Sequence, residues 1–538
     1  MSRTSGSRTT FIGVSLALAL ATGLHPRSLA AQAPPTGAAA AWWHQITVLA
    51  ADSMRGRRTG TEDYLKAARY VAAQFAAAGL EPGGTDGFFQ TAHLATVTLV
   101  PERSGIVLER GAAHDTLALG TDATLQINPS SAPSVQGPLV FVGYGLHLPG
   151  AYDDVGHVDL HGKVAVYLNR MPTGLSATMF AHGRASRWLE LHRLGAVAAI
   201  AIADAPVSGR EGRGGRGGGG GPRAVMGLAD DPSEGGLLIN LRAEAAERLF
   251  AGSGHTYAEL VALSDAHRPL PTVPLEPILH AWDGVERTSV DAPNVAGLLR
   301  GTDPVLRHQY LIVSAHLDHL GVGRPVNDDS IYNGAMDNAS GVATLIETAR
   351  AFKDGHVRPR RSIIFLAITG EEEGELGSAY FAMHPTVPVG DIVADLNTDM
   401  FLPIIPFKGV FAYGWDESDL GKDLLPVLKA RGLENFADPE PEQVRFIRSD
   451  QYSFIKRGIP AMAFKVGYTK DSPEMKVVSE WLTNRYHKPS DDLEQPVNFQ
   501  TAAAFNAMYF DIVRAVANRP TKPAWYPQSV FAQIPRAR

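Results

Sequence analysis

Three textures of hydrophobic and polar patterning follow one another along the 538-residue chain. From about Ala38 to Gln90 the spacing is helical: in LKAARYVAAQFAAAGL, Leu65, Ala68, Val71, Ala72, Phe75 and Leu80 recur at helical intervals, and Gly79 marks the C-terminal end. From about Val97 to Pro271 the runs are short, β-rich and punctuated by Gly and Pro, as in PLVFVGYGL, GKVAVYLNR and AVAAIAIAD. An independent inserted domain is the simplest account of that change.

From about Asn294 to Arg519 strand and helix patterns alternate. YLIVSA, RSIIFLAIT, DIVADLN and GIPAMAFKV are short apolar runs of strand type, and SGVATLIETARAFKD is helical, with Val342, Leu345, Ile346, Ala349 and Phe352 on one face. This order predicts an α/β fold: a mostly parallel mixed sheet flanked by helices, interrupted by a β-rich insertion. Open sheets of this kind place their ligand sites just past the C-terminal ends of strands. The expected organisation is a leader over 1–30, the α/β domain in two parts over 38–96 and 291–520, an inserted domain over 97–290, and a C-terminal tail over 521–538.

Composition narrows the picture. Hydrophobic content of 45% supports two or three domains with substantial cores. The N-terminus carries Arg3 and Arg8, an apolar run from Phe11 to Leu24, and small residues at Ser28, Ala30 and Ala31, the pattern of a secretory signal peptide cut after Ala30 or Ala31. The apolar run is shorter than the roughly 20 residues of a spanning helix, so an exported chain, periplasmic or secreted, with no stable membrane insertion is expected. The chain has no cysteine, which excludes disulfides and thiolate chemistry. Its formal charge of 49 minus 56, or -7, becomes 46 minus 56, or -10, without the leader, a poor balance for nucleic acid or an anionic membrane. The stretch GREGRGGRGGGGGPR, residues 209–223, is expected to be a flexible surface loop, because glycine loses the most backbone freedom on ordering; export and acidity disfavour an arginine–glycine nucleic-acid segment there.

Five residues fall at or just beyond predicted strand ends or in turns: His316 in SAHLDHLG, Asp337 in NGAMDNASG, Glu372 in TGEEEGELGS, Asp399 in NTDM and His487 in RYHKPSDD. A two-metal hydrolase site needs borderline nitrogen ligands, hard carboxylates, one carboxylate able to bridge, and open positions for water and substrate. This set supplies them, with Glu371 beside Glu372 as a base. Taken singly, each residue is equally a helix cap, a first-turn acid or a solvated loop group. No G-x-S-x-G elbow or P-loop supports serine hydrolysis or nucleotide chemistry.

The motifs SAHLDH, GAMDNASG, GEEEGELGS, LNTDM and YHKPSDD, in this order, resemble those of the secreted di-zinc metallopeptidases of the bacterial leucyl aminopeptidase type. That family also includes glutamate carboxypeptidase II and, as a non-catalytic relative, transferrin receptor. The resemblance covers the third segment and much of the first, and the insertion resembles a protease-associated domain through VDLHGKVAVYLNR and LHRLGAVAAIAIAD. It implies the zinc exopeptidase fold and two Zn2+ ions per chain, with cobalt or manganese as substitutes. By the same resemblance, His316 and Asp399 hold one ion, Glu372 and His487 the other, and Asp337 bridges both. Asp318 then accepts a hydrogen bond from the His316 imidazole, Glu371 is the general base towards a metal-bridging hydroxide, Tyr486 stabilises the tetrahedral intermediate, and Asn338 and Gly341 shape the bridging turn. One departure is SDQYSF, 449–454, where relatives often have a histidine in place of Gln451; any role of that histidine is lost here, and none of the five ligands is affected.

The activity implied is an aminopeptidase acting on peptides. A carboxypeptidase or dipeptidase on the same scaffold is the first alternative, and a glutaminyl cyclase or a non-catalytic binding protein are further ones. The apolar, aromatic stretch FLPIIPFKGVFAYGWDESD, 401–419, reads as core or as the wall of a substrate pocket. Oligomeric state is not encoded in any of these patterns.

Overall fold

The β-branched runs of the third segment become the centre of a ten-stranded mixed sheet in a computed structural model that describes residues 35–203, 224–231 and 235–537. Four neighbouring strands, Ser362–Ile368, Tyr310–His316, Ile392–Asn397 and Ala461–Val466, run parallel. Antiparallel strands flank them, Val285–Leu299 on one side and Gly409–Tyr413 on the other. The parallel strands read as unbroken apolar runs because both faces are covered. In Tyr310–His316, Leu311, Val313 and Ala315 enter the core beneath the helices Glu62–Ala77, Ser340–Asp354 and Phe499–Asn518, while Ile312 packs on the opposite face with Ile364, Phe381 and Phe454. All five positions expected on the inner face of the Ser340–Asp354 helix are buried.

The helix expected in the first segment is Glu62–Ala77, with the Thr61 hydroxyl accepting the Tyr64 N–H at 3.2 Å and Gly79 left-handed after its end. Its buried face includes Tyr64 and Ala67 besides Ala68, Val71, Ala72 and Phe75, and Leu65 is only half-buried.

The second segment builds a separate eight-stranded sheet with its own core around Phe141, Val164, Ile200, Leu237 and Leu279. It is more than a β meander: Ser134–Val142, Val164–Leu168, Ala198–Ala203 and Leu237–Arg242 are parallel neighbours, and the helix Ala177–Arg193 lies between two of them in sequence. The expected boundaries at 96/97 and 290/291 fall inside a continuous ribbon, since Phe89–Leu99 pairs with Val285–Leu299 from Val285↔Leu99 to Val295↔Phe89. The strand Ala224–Leu228 leaves the second segment and pairs with Phe89–Leu99 in the first sheet. The described residues from Thr36 onward accordingly form one compact unit. The terminal stretch beyond 520 is docked, with Phe531 fully buried and the Trp525 indole N–H donating to the Gly458 carbonyl at 3.2 Å. The leader, 1–30, and the Gly-rich stretch, 209–223, lie outside the described residues.

Candidate metal centre

The parallel strands deliver their next residues to one place. His316 is the last residue of its strand, Asp318 and His319 follow it, Gly370 to Glu372 follow Ser362–Ile368, and Asp399 follows Ile392–Asn397. Asp337 sits in the short turn Ala335–Ala339 ahead of the Ser340–Asp354 helix, and His487 adopts a left-handed backbone (φ 57°) in the loop before the last long helix.

The distances define two groups that share Asp337. His316 Nε2 lies 3.3 Å from Asp337 Oδ1 and 3.5 Å from Asp399 Oδ1. His487 Nε2 lies 3.1 Å from Asp337 Oδ2 and 3.2 Å from Glu372 Oε2. The sequence-predicted residues His316, Asp337, Glu372, Asp399 and His487 are thus brought together. His319 joins the second group, its Nδ1 2.8 Å from Glu372 Oε1 and 3.9 Å from Asp337 Oδ2. Nitrogen and carboxylate oxygen atoms converge here at spacings able to hold cations, in the sets His316, Asp337, Asp399 and His319, Asp337, Glu372. His316 Nε2 and Asp337 Oδ2 are both buried and, although close to the facing groups, make no well-aligned hydrogen bond, which is costly unless something else satisfies them. A borderline nitrogen and hard oxygen set of this kind fits zinc.

Electrostatics follow from that crowding. Burial opposes charge on His316, Asp337, Glu372, Asp399 and His487, yet Asp337 and Asp399 push the His316 imidazole well above its usual range, and Glu372 and Asp337 do the same to His487. Burial pushes the Glu372 carboxyl up, and His487 with His319 more than offsets this, holding it at about 2. Burial and the Asp337, Glu372, Glu371 and Asp399 carboxylates keep the Tyr486 hydroxyl protonated well above the normal phenol range. Its ring stacks on His487 with centroids 3.8 Å apart.

The surroundings correct one expectation. The Asp318 carboxylate does not hold the imidazole: His316 Nδ1 donates to the Asp318 main-chain carbonyl at 3.1 Å, while Asp318 Oδ1 lies 3.9 Å from it. The carboxylate instead accepts the backbone N–H groups of Glu371 at 3.1 Å and Glu372 at 3.2 Å. Asn338 ties the two ligand loops together, donating to the Thr398 carbonyl at 2.9 Å and accepting from Gly341 at 2.9 Å and Met400 at 3.1 Å. A Cβ at Gly341 would meet Asn338 Oδ1 and the Thr398 carbonyl at 2.4 Å, so only glycine fits. Gln451 is buried and donates to the Phe446 carbonyl at 2.9 Å, a bond within its own loop.

Three supporting residues escaped the sequence reading. Asp491 accepts the Met336 N–H at 2.9 Å and the Asp337 N–H at 3.0 Å; it stands inside the YHKPSDD motif, which was its only signal. His319 was visible as the second histidine of HLDH. Arg57, fully buried, had no signal beyond lying in a Gly- and Arg-rich turn.

Residues 294–513 match the model of Peptidase family M28. Over 111 residues the chain is 33% identical to a "Probable zinc metalloprotease" of Pyrenophora teres f. teres, 21% of this chain and 23% of that protein. It is 34% identical over 98 residues to "Carboxypeptidase Q" of Xenopus laevis, 18% of this chain and 19% of the relative. The chain therefore spans about a quarter or less of the length of these curated relatives. Among solved structures, an aminopeptidase from Aneurinibacillus sp. strain AM-1 is similar at 19% identity and a TM-score of 0.44, over 93% of this chain and 98% of the other.

Proposed function

With residues 294–513 belonging to peptidase family M28, we propose that the chain is a zinc-dependent exopeptidase, and specifically an aminopeptidase that removes N-terminal residues from peptides. The observation that carries the reading is the convergence of His316, Asp399, Glu372 and His487 on the shared, buried Asp337. In this reading His316 and Asp399 hold one ion, Glu372 and His487 the other, and Asp337 both. Cobalt or manganese would suit the same donors.

Two ions bound there would polarise the scissile carbonyl and bring the pKa of a shared water from 15.7 to about 7. The protein's own part is positioning and proton transfer. Asp318 fixes the peptide groups of Glu371 and Glu372, so that one side chain ligates while its neighbour faces the reacting water. Glu371 takes the proton of the attacking water and passes it to the leaving amine. Tyr486, kept neutral by the carboxylates around it, donates its O–H towards the oxyanion. The second sheet is read as an inserted protease-associated domain, and the mature chain as exported, periplasmic or secreted. Among the described residues no helix is long and apolar enough to cross a membrane.

The test is amino-acid release from a free leucyl peptide, its N-acetylated form and a C-terminally blocked form, each with zinc and with a chelator. Chelator-sensitive cleavage that needs a free amine is the expected result; cleavage of the acetylated peptide that needs a free carboxylate would replace it with a carboxypeptidase. That second reading, or a dipeptidase, is favoured by one feature, a lysine beside Asp399.

A further inference from the structure

Lys465 carries a positive charge into the acidic end of the central sheet, and among the described residues no carboxylate is in ion-pair contact with it. The parallel register of Asn397 with Ala463 puts Lys465 two residues further along, level with Asp399. Its antiparallel partner is Phe411, and Tyr413, opposite Ala463, lies on the same face. The two rings, 6.2 Å apart, form an aromatic wall along that face. The ammonium donates to the Met400 carbonyl at 3.3 Å, the residue after Asp399. An ammonium has three N–H donors, and among the described residues no carboxylate oxygen lies within 4.0 Å of this one. The neighbouring cation differs: Arg445 is already paired with Asp438 at 3.2 Å and Glu440 at 2.6 Å. Burial pulls the Lys465 pKa down and Asp399 raises it, so its charge is felt at the ligand cluster. The residue as a whole is partly buried.

We infer that Lys465 is a specificity-determining residue that recognises a carboxylate on the substrate, so that the site favours anionic peptides over neutral ones. This rests on the exopeptidase reading for its use in turnover, while the binding itself does not. A carboxylate completes the ammonium's unused donors with a charge-assisted bond, whereas a free substrate ammonium in the same place is repelled. Two groups supply that chemistry: the side chain of an N-terminal Asp or Glu, or the free C-terminus of a dipeptide. A structural role alone, closing the left-handed turn at Met400 (φ 51°), would affect acid and amide substrates equally.

The experiment uses the zinc-loaded mature chain. Glutamyl and glutaminyl p-nitroanilides form one pair, and Leu-Leu with Leu-Leu-amide the other. The wild type should favour the acid by about 10- to 100-fold in kcat/KM in one pair, the size of a charged hydrogen bond. Preference in the first pair identifies a side-chain carboxylate, and in the second a free C-terminus. Lys465→Met should bring the ratio close to one through KM, and Lys465→Arg should keep most of it. Glutarate binding by calorimetry, present in the wild type and lost in Lys465→Met, reads the subsite without turnover. If no peptide is cleaved but glutarate binding still depends on Lys465, the exopeptidase reading fails and the carboxylate site stands. An acid-to-amide ratio near one in both wild-type pairs, no glutarate binding by the wild type, or a Lys465→Met loss shared equally by acid and amide would overturn the inference.

Discussion

Arg57 and Gly334 are joined by a 3.0 Å hydrogen bond from a guanidinium Nη2 to a main-chain carbonyl, close to the turn that carries Asp337. The same guanidinium donates to the carbonyls of Asn333 at 2.6 Å, Leu49 at 2.7 Å and Leu317 at 2.9 Å. One buried side chain therefore clamps the strand end after His316 to the loop before Asp337. Burial lowers the Arg57 pKa to about 10, with Asp318 and Asp491 opposing the shift, so the group is charged at neutral pH.

Arg57→Met should therefore cost about 3–5 kcal/mol in chemical denaturation, the range for breaking buried charge compensation, and it should weaken zinc retention. Arg57→Lys keeps the charge but not the planar fork and should fall between the two. Equal stability of Arg57→Met and wild type would remove the clamp from the account.

His319 holds Glu372 Oε1, while the other oxygen of the same carboxylate faces His487. His319→Phe should lower zinc affinity by about 10- to 100-fold, as loss of a ligand-orienting partner does, measured by competition with a chromophoric chelator. Unchanged affinity would reduce His319 to packing.

Glu371 and Glu372 are adjacent but should separate cleanly. Glu371→Gln should lower kcat by about 10²- to 10⁴-fold with metal content unchanged, whereas Glu372→Gln should lose metal. Elemental analysis beside the rate assay distinguishes them, and metal loss in Glu371→Gln would reassign the pair.

Acid should loosen the contact between the second segment and the sheet. His182, on the Ala177–Arg193 helix, is buried beside Phe531 and shares a 2.9 Å hydrogen bond with the Tyr452 hydroxyl. Burial, assisted by Lys456, depresses its pKa from 6.5 to about 4. A histidine depressed in this way contributes stability that is full above about 6.5 and is lost as pH falls towards 4. The span corresponds to roughly 3 kcal/mol at 1.36 kcal/mol per pKa unit. His182→Gln should flatten the fall in Tm between pH 6.5 and 4; an unchanged slope would assign the acid sensitivity elsewhere.

The strands and the five metal-binding candidates were legible because each candidate is local to an apolar run, a motif or a turn that periodicity and residue type reveal. The supporting residues were not, because they act across the chain. Arg57 bonds to carbonyls up to 277 residues away, and a carbonyl leaves no mark in sequence. Asp318 is expected from its motif to accept from the His316 imidazole, whereas its carboxylate accepts the Glu371 and Glu372 N–H groups, which depends on how two neighbouring strands end side by side. Likewise, Ala224–Leu228 looked like part of the insertion, and only the antiparallel register with Phe89–Leu99 assigns it to the first sheet.

The most direct test of the whole account is a zinc titration of the metal-free mature chain, with bound metal and peptide hydrolysis followed together in the wild type and in Asp337→Ala. Two zinc ions per wild-type chain are expected, with activity that rises with their uptake and loss of both tight sites when the shared carboxylate is removed. Hydrolysis that persists without metal, or an Asp337→Ala chain that still binds two ions tightly, would contradict it.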